Sequence, residues 1–124
     1  MSPSNRPRVG VWREVWLADS ETFVRDQVAA MSRWDPFLVG LRHRPNVLGV
    51  QPDLAPLPST RVTEARTQLA GSLGLRHTLA RGLREADAAL VHAHFGTSAT
   101  QVLPIARRAG LPLVVTFHGY DVTR

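Results

Sequence analysis

The stretch from Ala88 to Phe117 constrains this chain more than any other. Ala88-Ala89-Leu90-Val91-His92-Ala93 is short and apolar, with acidic residues on one side and His94-Phe95-Gly96 on the other, and it reads as a strand. Thr97 to Ala109 follows with helical character, although Pro104 inside it forfeits a backbone hydrogen bond and implies a bend. Gly110 stands where a helix commonly ends on a left-handed residue. Leu111-Pro112-Leu113-Val114-Val115-Thr116-Phe117 is then almost continuously apolar, the pattern of a strand covered on both faces. Strand, short helix and strand in about 30 residues make a βαβ unit, with parallel pairing and a right-handed crossover expected.

The first half fits the same plan. Arg8 to Leu17 is rich in β-branched and aromatic residues and reads as a first strand with its exit loop. Asp19-Ser20 supplies helix-capping chemistry, Glu21 adds first-turn charge, and Val24, Val28 and Met31 share one helical face. That helix should stop before Asp35-Pro36, because the residue ahead of a proline is pushed out of the α region. Phe37 to Leu41 and Asn46 to Val50 are further short apolar runs, and the three prolines of Gln51 to Pro58 mark a loop. From Arg61 to Glu85 the pattern is helical, with Val62, Ala65, Leu69 and Leu73 on one face and Gly71, Gly74 and Gly82 breaking its continuity. Trp12, Trp16 and Trp34 are read as packing residues. The expected fold class is α/β: a Rossmann-like parallel sheet with helices on both faces, in one domain of 124 residues.

Composition narrows the chemistry. The chain has no cysteine, which removes disulfides, zinc–thiolate sites and cysteine nucleophiles. No apolar run reaches the ~18 residues of a membrane span. Met1 to Arg8 contains no apolar stretch of the signal-peptide kind, so a cytoplasmic location is expected. The net charge is +5, and all 15 Lys and Arg positions are arginine. These arginines spread along the chain without interleaved aromatics, so nucleic acid is not an expected partner. A peripheral contact with the cytoplasmic face of a membrane stays open.

The polar residues gather at predicted strand exits. Asp19, Ser20 and Glu21 follow the first strand, His92 and His94 end the next-to-last, and His118, Gly119, Tyr120 and Asp121 follow the last. In a parallel sheet these share the carboxyl edge, where open α/β folds bind ligands, and neighbouring strands lie ~4.8 Å apart. His92, inside its strand, is read as a packed histidine, whereas His94 and His118 stand beside glycines at strand exits and are the stronger ligand candidates. Asp19-Ser20-Glu21 serves equally as a helix cap. The helix beginning near Thr97 offers its N-terminus to an anion. A metal site of His92, His94 and a later histidine is not favoured, since the strand is expected to end between the first two and only Asp121 is near to orient them. There is no Gly-x-Gly-x-x-Gly after the first strand, no lysine for a Walker A loop, and no Gly-x-Ser-x-Gly elbow.

Ser20-Glu21-Thr22-Phe23, His92-Ala93-His94-Phe95-Gly96, the Ala106 to Pro112 turn and Val115-Thr116-Phe117-His118-Gly119-Tyr120-Asp121 together resemble the N-terminal, acceptor-side domain of family-4 glycosyltransferases. The likeness is to the branch that builds bacterial exopolysaccharides such as colanic acid and amylovoran. It runs from Val9 to Thr123 and is weak between Gln51 and Arg84. The resemblance implies a GT-B enzyme whose first Rossmann-like domain holds the acceptor and whose second holds the nucleotide-sugar, transferring a hexose with retention and commonly without a metal. It implies catalytic roles for His118, near the donor sugar and its diphosphate, and for Asp121, orienting an acceptor hydroxyl. Asp19, Ser20, Glu21, Thr22, His94, Phe95, Gly96 and Gly119 would line the crevice. The first loop departs from the pattern: many relatives have a Gly-Gly pair where this chain has Leu17-Ala18-Asp19-Ser20.

On this reading residues 1–124 form part of the acceptor-side domain, and a C-terminal donor-binding domain would carry the groups that grip the diphosphate. The expected partners are a saccharide or lipid-linked acceptor and, through the second domain, the nucleotide-sugar. No other cofactor is expected, and the chain alone is expected to be inactive. Its last strand, Leu113 to Phe117, should expose an unpaired edge. The rival readings are a small stand-alone α/β binding or regulatory module and, behind it, a histidine-based metal-dependent hydrolase.

Overall fold

In the computed structural model the described residues are 5–16, 21–43, 49–57 and 73–118. Four strands form one sheet: β1 (Arg8–Trp12), β3 (Asp35–Val39), β5 (Ala88–His94) and β6 (Leu113–Thr116). Their order is β3-β1-β5-β6 and every pairing is parallel. Two short strands, β2 (Val15–Trp16) and β4 (Arg42–His43), pair in parallel as a separate sheet. The helices are α1 (Thr22–Ala30), α2 (Leu73–Glu85) and α3 (Gly96–Ala109).

Strand alternation sorts the core into two layers. Trp12, Val39, Val91 and Ala93 pack with Leu79, Ala80 and Leu83 of α2 and Val102, Ile105 and Ala106 of α3. Val9 and Val11 face the other way, against Val24 of α1 and Trp16. Helices therefore cover both faces, and the α/β, Rossmann-like reading holds. Leu79 and Leu83 are fully buried, each contributing about 1.5–3 kcal/mol of apolar transfer. Among the described residues no helix is long and apolar enough to cross a membrane.

Several boundaries move, each for a local reason. The first strand ends at Trp12 rather than running on, because the chain turns at Arg13 and Glu14 to meet the end of β3. Arg13 N–H donates to the Val39 carbonyl at 3.2 Å, Leu41 N–H to the Glu14 carbonyl at 2.9 Å, and the Trp16 indole to Val39 at 2.9 Å. β3 starts at Asp35, two residues earlier than the apolar run, because Asp35 N–H bonds the Pro7 carbonyl at 2.9 Å and its carboxylate pairs with Arg8 at 3.2 Å. Of the Asn46–Val50 run, Gly49 and Val50 carry no strand and the rest lies outside the described residues, as do 61–72 of the expected long helix. Gly82 is tolerated within α2 because Leu54 packs where a Cβ would stand. The α3 C-terminus closes as expected: Gly110 adopts φ 73°, Leu111 N–H bonds Ala106 at 2.9 Å and Gly110 N–H bonds Arg107 at 3.0 Å.

The two sheet edges are treated differently. Outside β3, Leu38 exchanges bonds with residues 53 and 54: Asp53 N–H donates to its carbonyl at 2.7 Å, and its own N–H donates to the Asp53 carboxylate at 2.7 Å. β6 has no strand beyond it among the described residues, and its sequence Leu-Val-Val-Thr holds no charge or proline. Val114 is 47% exposed on it. Such an edge pairs with other chains, so Val114→Lys should lower the associated fraction in sedimentation velocity while leaving the thermal midpoint within a degree or so of the parent. Unchanged association would place self-contact elsewhere.

Candidate functional site

β1 is flanked by β3, which follows it through α1, and by β5, which comes later in the chain. The sheet thus changes its direction of growth between β1 and β5, and the carboxyl ends of those strands border the crevice where doubly wound sheets take ligands. The first residue beyond β1 is Arg13. Its guanidinium forks Glu21, with Nε donating to Oε1 at 2.9 Å and Nη2 to Oε2 at 2.8 Å. Nη1 donates to Ser98 Oγ at 2.9 Å and to the His94 carbonyl at 3.4 Å, and the group lies 4.8 Å over the Phe95 ring. One side chain therefore ties the exits of β1 and β5 to the beginnings of α1 and α3. Both ion-pair partners are largely buried, with 14% and 15% side-chain exposure, so the fork is far from a solvated surface pair.

Beside this tie lies a cluster of imidazole and phenyl rings. β5 continues through His94, one residue past its expected end, and this places His92 and His94 on the same face with ring centroids 4.7 Å apart. His92 Nε2 stands 2.6 Å from Thr116 Oγ1, so this histidine is packed and partnered as expected. His94 Nδ1 stands 3.3 Å from His118 Nε2, and the two rings stack at 5.6 Å. Phe23 of α1 and Phe95 close on the His118 ring at 4.7 Å and 4.4 Å. Phe95 itself has φ 73° and ψ 142°, a conformation that side chains rarely adopt, at the N-cap of α3. Gly96 comes next, and a Cβ there would press on Phe117 at 3.1 Å.

Burial and charge oppose protonation of two of these imidazoles, His92 and His94. His94 is 1% exposed, and its pKa falls from 6.5 to about 4 through desolvation first, then repulsion from His92, His118 and Arg13. His92 is lowered as well, by desolvation and then by His118. With the imidazole nitrogens turned to Thr116 and to one another, no three His, Asp or Glu side chains converge as metal ligands among the described residues. An apolar hollow of about 180 Å³ is lined by Val9, Met31, Trp34, Leu90, His92 and Val114. Its lining holds none of Arg13, Phe95 or His118, and the polar chemistry is at the strand exits instead.

Of the residues expected from sequence, Glu21, His94, Phe95, Gly96 and His118 meet at this edge, and Thr22 opens α1 next to Glu21. Glu21 is the N-cap residue of α1 but makes no side-chain cap bond, because its carboxylate is committed to Arg13. Asp19, Ser20, Gly119 and Asp121 lie outside the described residues. Arg13 and Ser98 were not expected. The signal available for Arg13 was its position at the exit of the first strand, upstream of an acidic residue at a helix start. No family model, no curated protein and no solved structure matches this chain.

Two outcomes follow from this geometry. Arg13→Gln strands the Glu21 carboxylate in a mostly buried place and should cost about 3 kcal/mol in urea unfolding. Arg13→Lys should restore only part of that, since an ammonium cannot fork a carboxylate; a loss below about 1 kcal/mol in the first variant would rank the pair with surface bridges. The second outcome concerns pH. Folding holds His94 neutral down to about 4, while the unfolded chain takes up its proton near 6.5. Stability should therefore fall as pH drops through that window and level off below it, by up to roughly 3 kcal/mol from this group. His94→Asn should flatten the urea midpoint over the same window, and an unchanged slope would show that His94 does not carry it.

Proposed function

We propose that this chain is an acceptor-side part of a retaining glycosyltransferase of the GT-B type, acting on a nucleotide-sugar donor and a saccharide or lipid-linked acceptor in polysaccharide synthesis. The observation that carries the reading is the meeting of Glu21, His94–Gly96 and His118 at the switch point of the sheet, since these residues come from the segments on which the family resemblance rests. The reaction replaces one bond at the anomeric carbon by another. The bond to the diphosphate oxygen breaks, the bond to the acceptor oxygen forms, and the hydroxyl proton leaves with the nucleoside diphosphate.

The chain's own residues support the acceptor half of that step. The cluster sets an imidazole beside phenyl ring faces, the mixture that suits a polyhydroxylated ring with apolar C–H faces. Phe23 is 39% exposed and Phe117 is 60% exposed, so apolar surface is presented at the same edge. Cytoplasmic placement and a peripheral membrane contact belong to the same proposal. So does a second domain for the donor, without which the chain is expected to bind rather than turn over.

The test is a saccharide titration of the protein followed by amide NMR. Neutral oligosaccharides should shift resonances of Glu21, His94–Gly96 and His118, and His118→Ala should weaken the binding at least tenfold. A panel of oligosaccharides that leaves these resonances in place overturns the proposal. Saccharide binding that persists unchanged in His118→Ala would move recognition away from this edge and favour a non-catalytic binding module.

A further inference from the structure

The apolar face of α1 is made by Val24, Val28 and Met31, and Phe23 stands apart from it. Its ring lies among the rings at the strand exits, 6.5 Å from His94 and 5.9 Å from Phe95, both edge-on, and 4.7 Å from His118. It is 39% exposed all the same, and a lone exposed phenyl needs no explanation. What sets this one apart is the neighbour that flanks it. Phe95 takes φ 73° and ψ 142°, a region left almost entirely to glycine. A glycine would adopt that backbone freely, so the phenyl is retained at a cost in stability. Its ring is held by the Arg13 guanidinium at 4.8 Å and by Phe23, and its N–H by the Thr116 carbonyl at 2.9 Å. A strained phenyl beside an exposed one makes an aromatic surface that the chain's own packing does not require.

Charge and neighbours narrow the occupant. The Arg13–Glu21 pair is internal and its two charges cancel. Thr22 precedes Phe23, and Thr97 follows Phe95 by two residues; both are exposed in the first turns of their helices and carry hydroxyls. Flat apolar faces bordered by uncharged hydroxyls match a pyranose ring, whose C–H groups gather on its faces and whose hydroxyls lie round the rim. We propose that Phe23 is the side chain on which the acceptor's sugar ring stacks, and that Phe95 is a positioning residue that holds the Phe23 ring in place. That the ligand is a saccharide rests on the function proposed above; the aromatic surface does not.

The experiment is calorimetric titration of the protein with neutral oligosaccharides of glucose and galactose. Phe23→Ala should weaken binding about tenfold, the scale of a lost stacking contact, and Phe23→Trp should keep it. Phe23→Leu retains apolar bulk without a flat face and should lose as much as the alanine variant. Phe95→Gly separates the positioning role from a structural one. It should unfold at higher urea than Phe95→Ala, because glycine relieves the backbone, yet bind as weakly as Phe95→Ala. Affinity that follows stability across those two variants overturns the positioning role. Full affinity in a folded Phe23→Ala or Phe23→Leu protein overturns the stacking role and leaves saccharide recognition standing. A parent protein that gives neither heat nor amide shifts with any of these oligosaccharides removes both the stacking role and the proposed function.

Discussion

Arg13 occupies the point from which the rest of the site is built. Its guanidinium stands where β1 and β5 diverge, and it holds a carboxylate from the start of α1, a hydroxyl from the first turn of α3 and a carbonyl from the end of β5. Only a planar group with five donors can meet those partners at once, and its flat face still rests on Phe95. Removing two charges from water is expensive, and the bidentate geometry with its two further acceptors is what offsets the cost. The consequence for function is spatial. The Arg13–Glu21 pair stands at the switch point, and under the proposed function an acceptor would meet the rings that lie beside it.

That layer of rings includes the most strained backbone among the described residues. Asp87 also has a positive φ, 57°, but it sits in the turn between α2 and β5, where a short polar side chain adopts the left-handed form at little cost. Phe95 is different, because φ 73° with ψ 142° is a conformation left almost entirely to glycine and costs about 1–3 kcal/mol. The contacts that offset it are at hand: Phe23 edge-on at 5.9 Å, the His118 ring, the Arg13 guanidinium, and the Phe95 N–H donating to the Thr116 carbonyl at 2.9 Å. A strained aromatic between a buried histidine and a helix start is a local rule broken where function is proposed, and that coincidence is what functional sites commonly show.

The sequence was most informative where one physical pattern governs a whole element. The apolar run Leu113 to Val115 does form a strand, but at the edge of the described sheet and with Val114 47% exposed rather than covered on both faces, and Gly110 ends α3 because its φ of 73° excludes most side chains. His94 and His118 were placed at one edge by topology alone. What stayed hidden depends on distant partners. Nothing near Arg13 in the chain says that it will meet Ser98, 85 residues away, and nothing at Phe95 announces a positive φ. The end of β5 was misplaced by one residue because His94 looks like a loop residue, whereas the parallel register carries it opposite Thr116 as part of the ladder. The small β2–β4 sheet was missed because two-residue strands have no periodicity to read.

The charge balance of the site bears on which half of a transfer it could serve. Arg13 and Glu21 cancel each other, and His92 and His94 are held below their usual pKa by burial and by their neighbours. A site that stabilises a departing diphosphate needs surplus positive charge directed at it, which is commonly the largest single contribution to such a step. Here the Arg13 guanidinium is spent on an internal carboxylate, and protonation of His92 and His94 is opposed by burial and by their neighbours. The proposed role in holding acceptor hydroxyls asks for no such surplus of charge. If sugar transfer is the reaction, the electrostatic work falls to groups outside this cluster, and the cluster orients the acceptor.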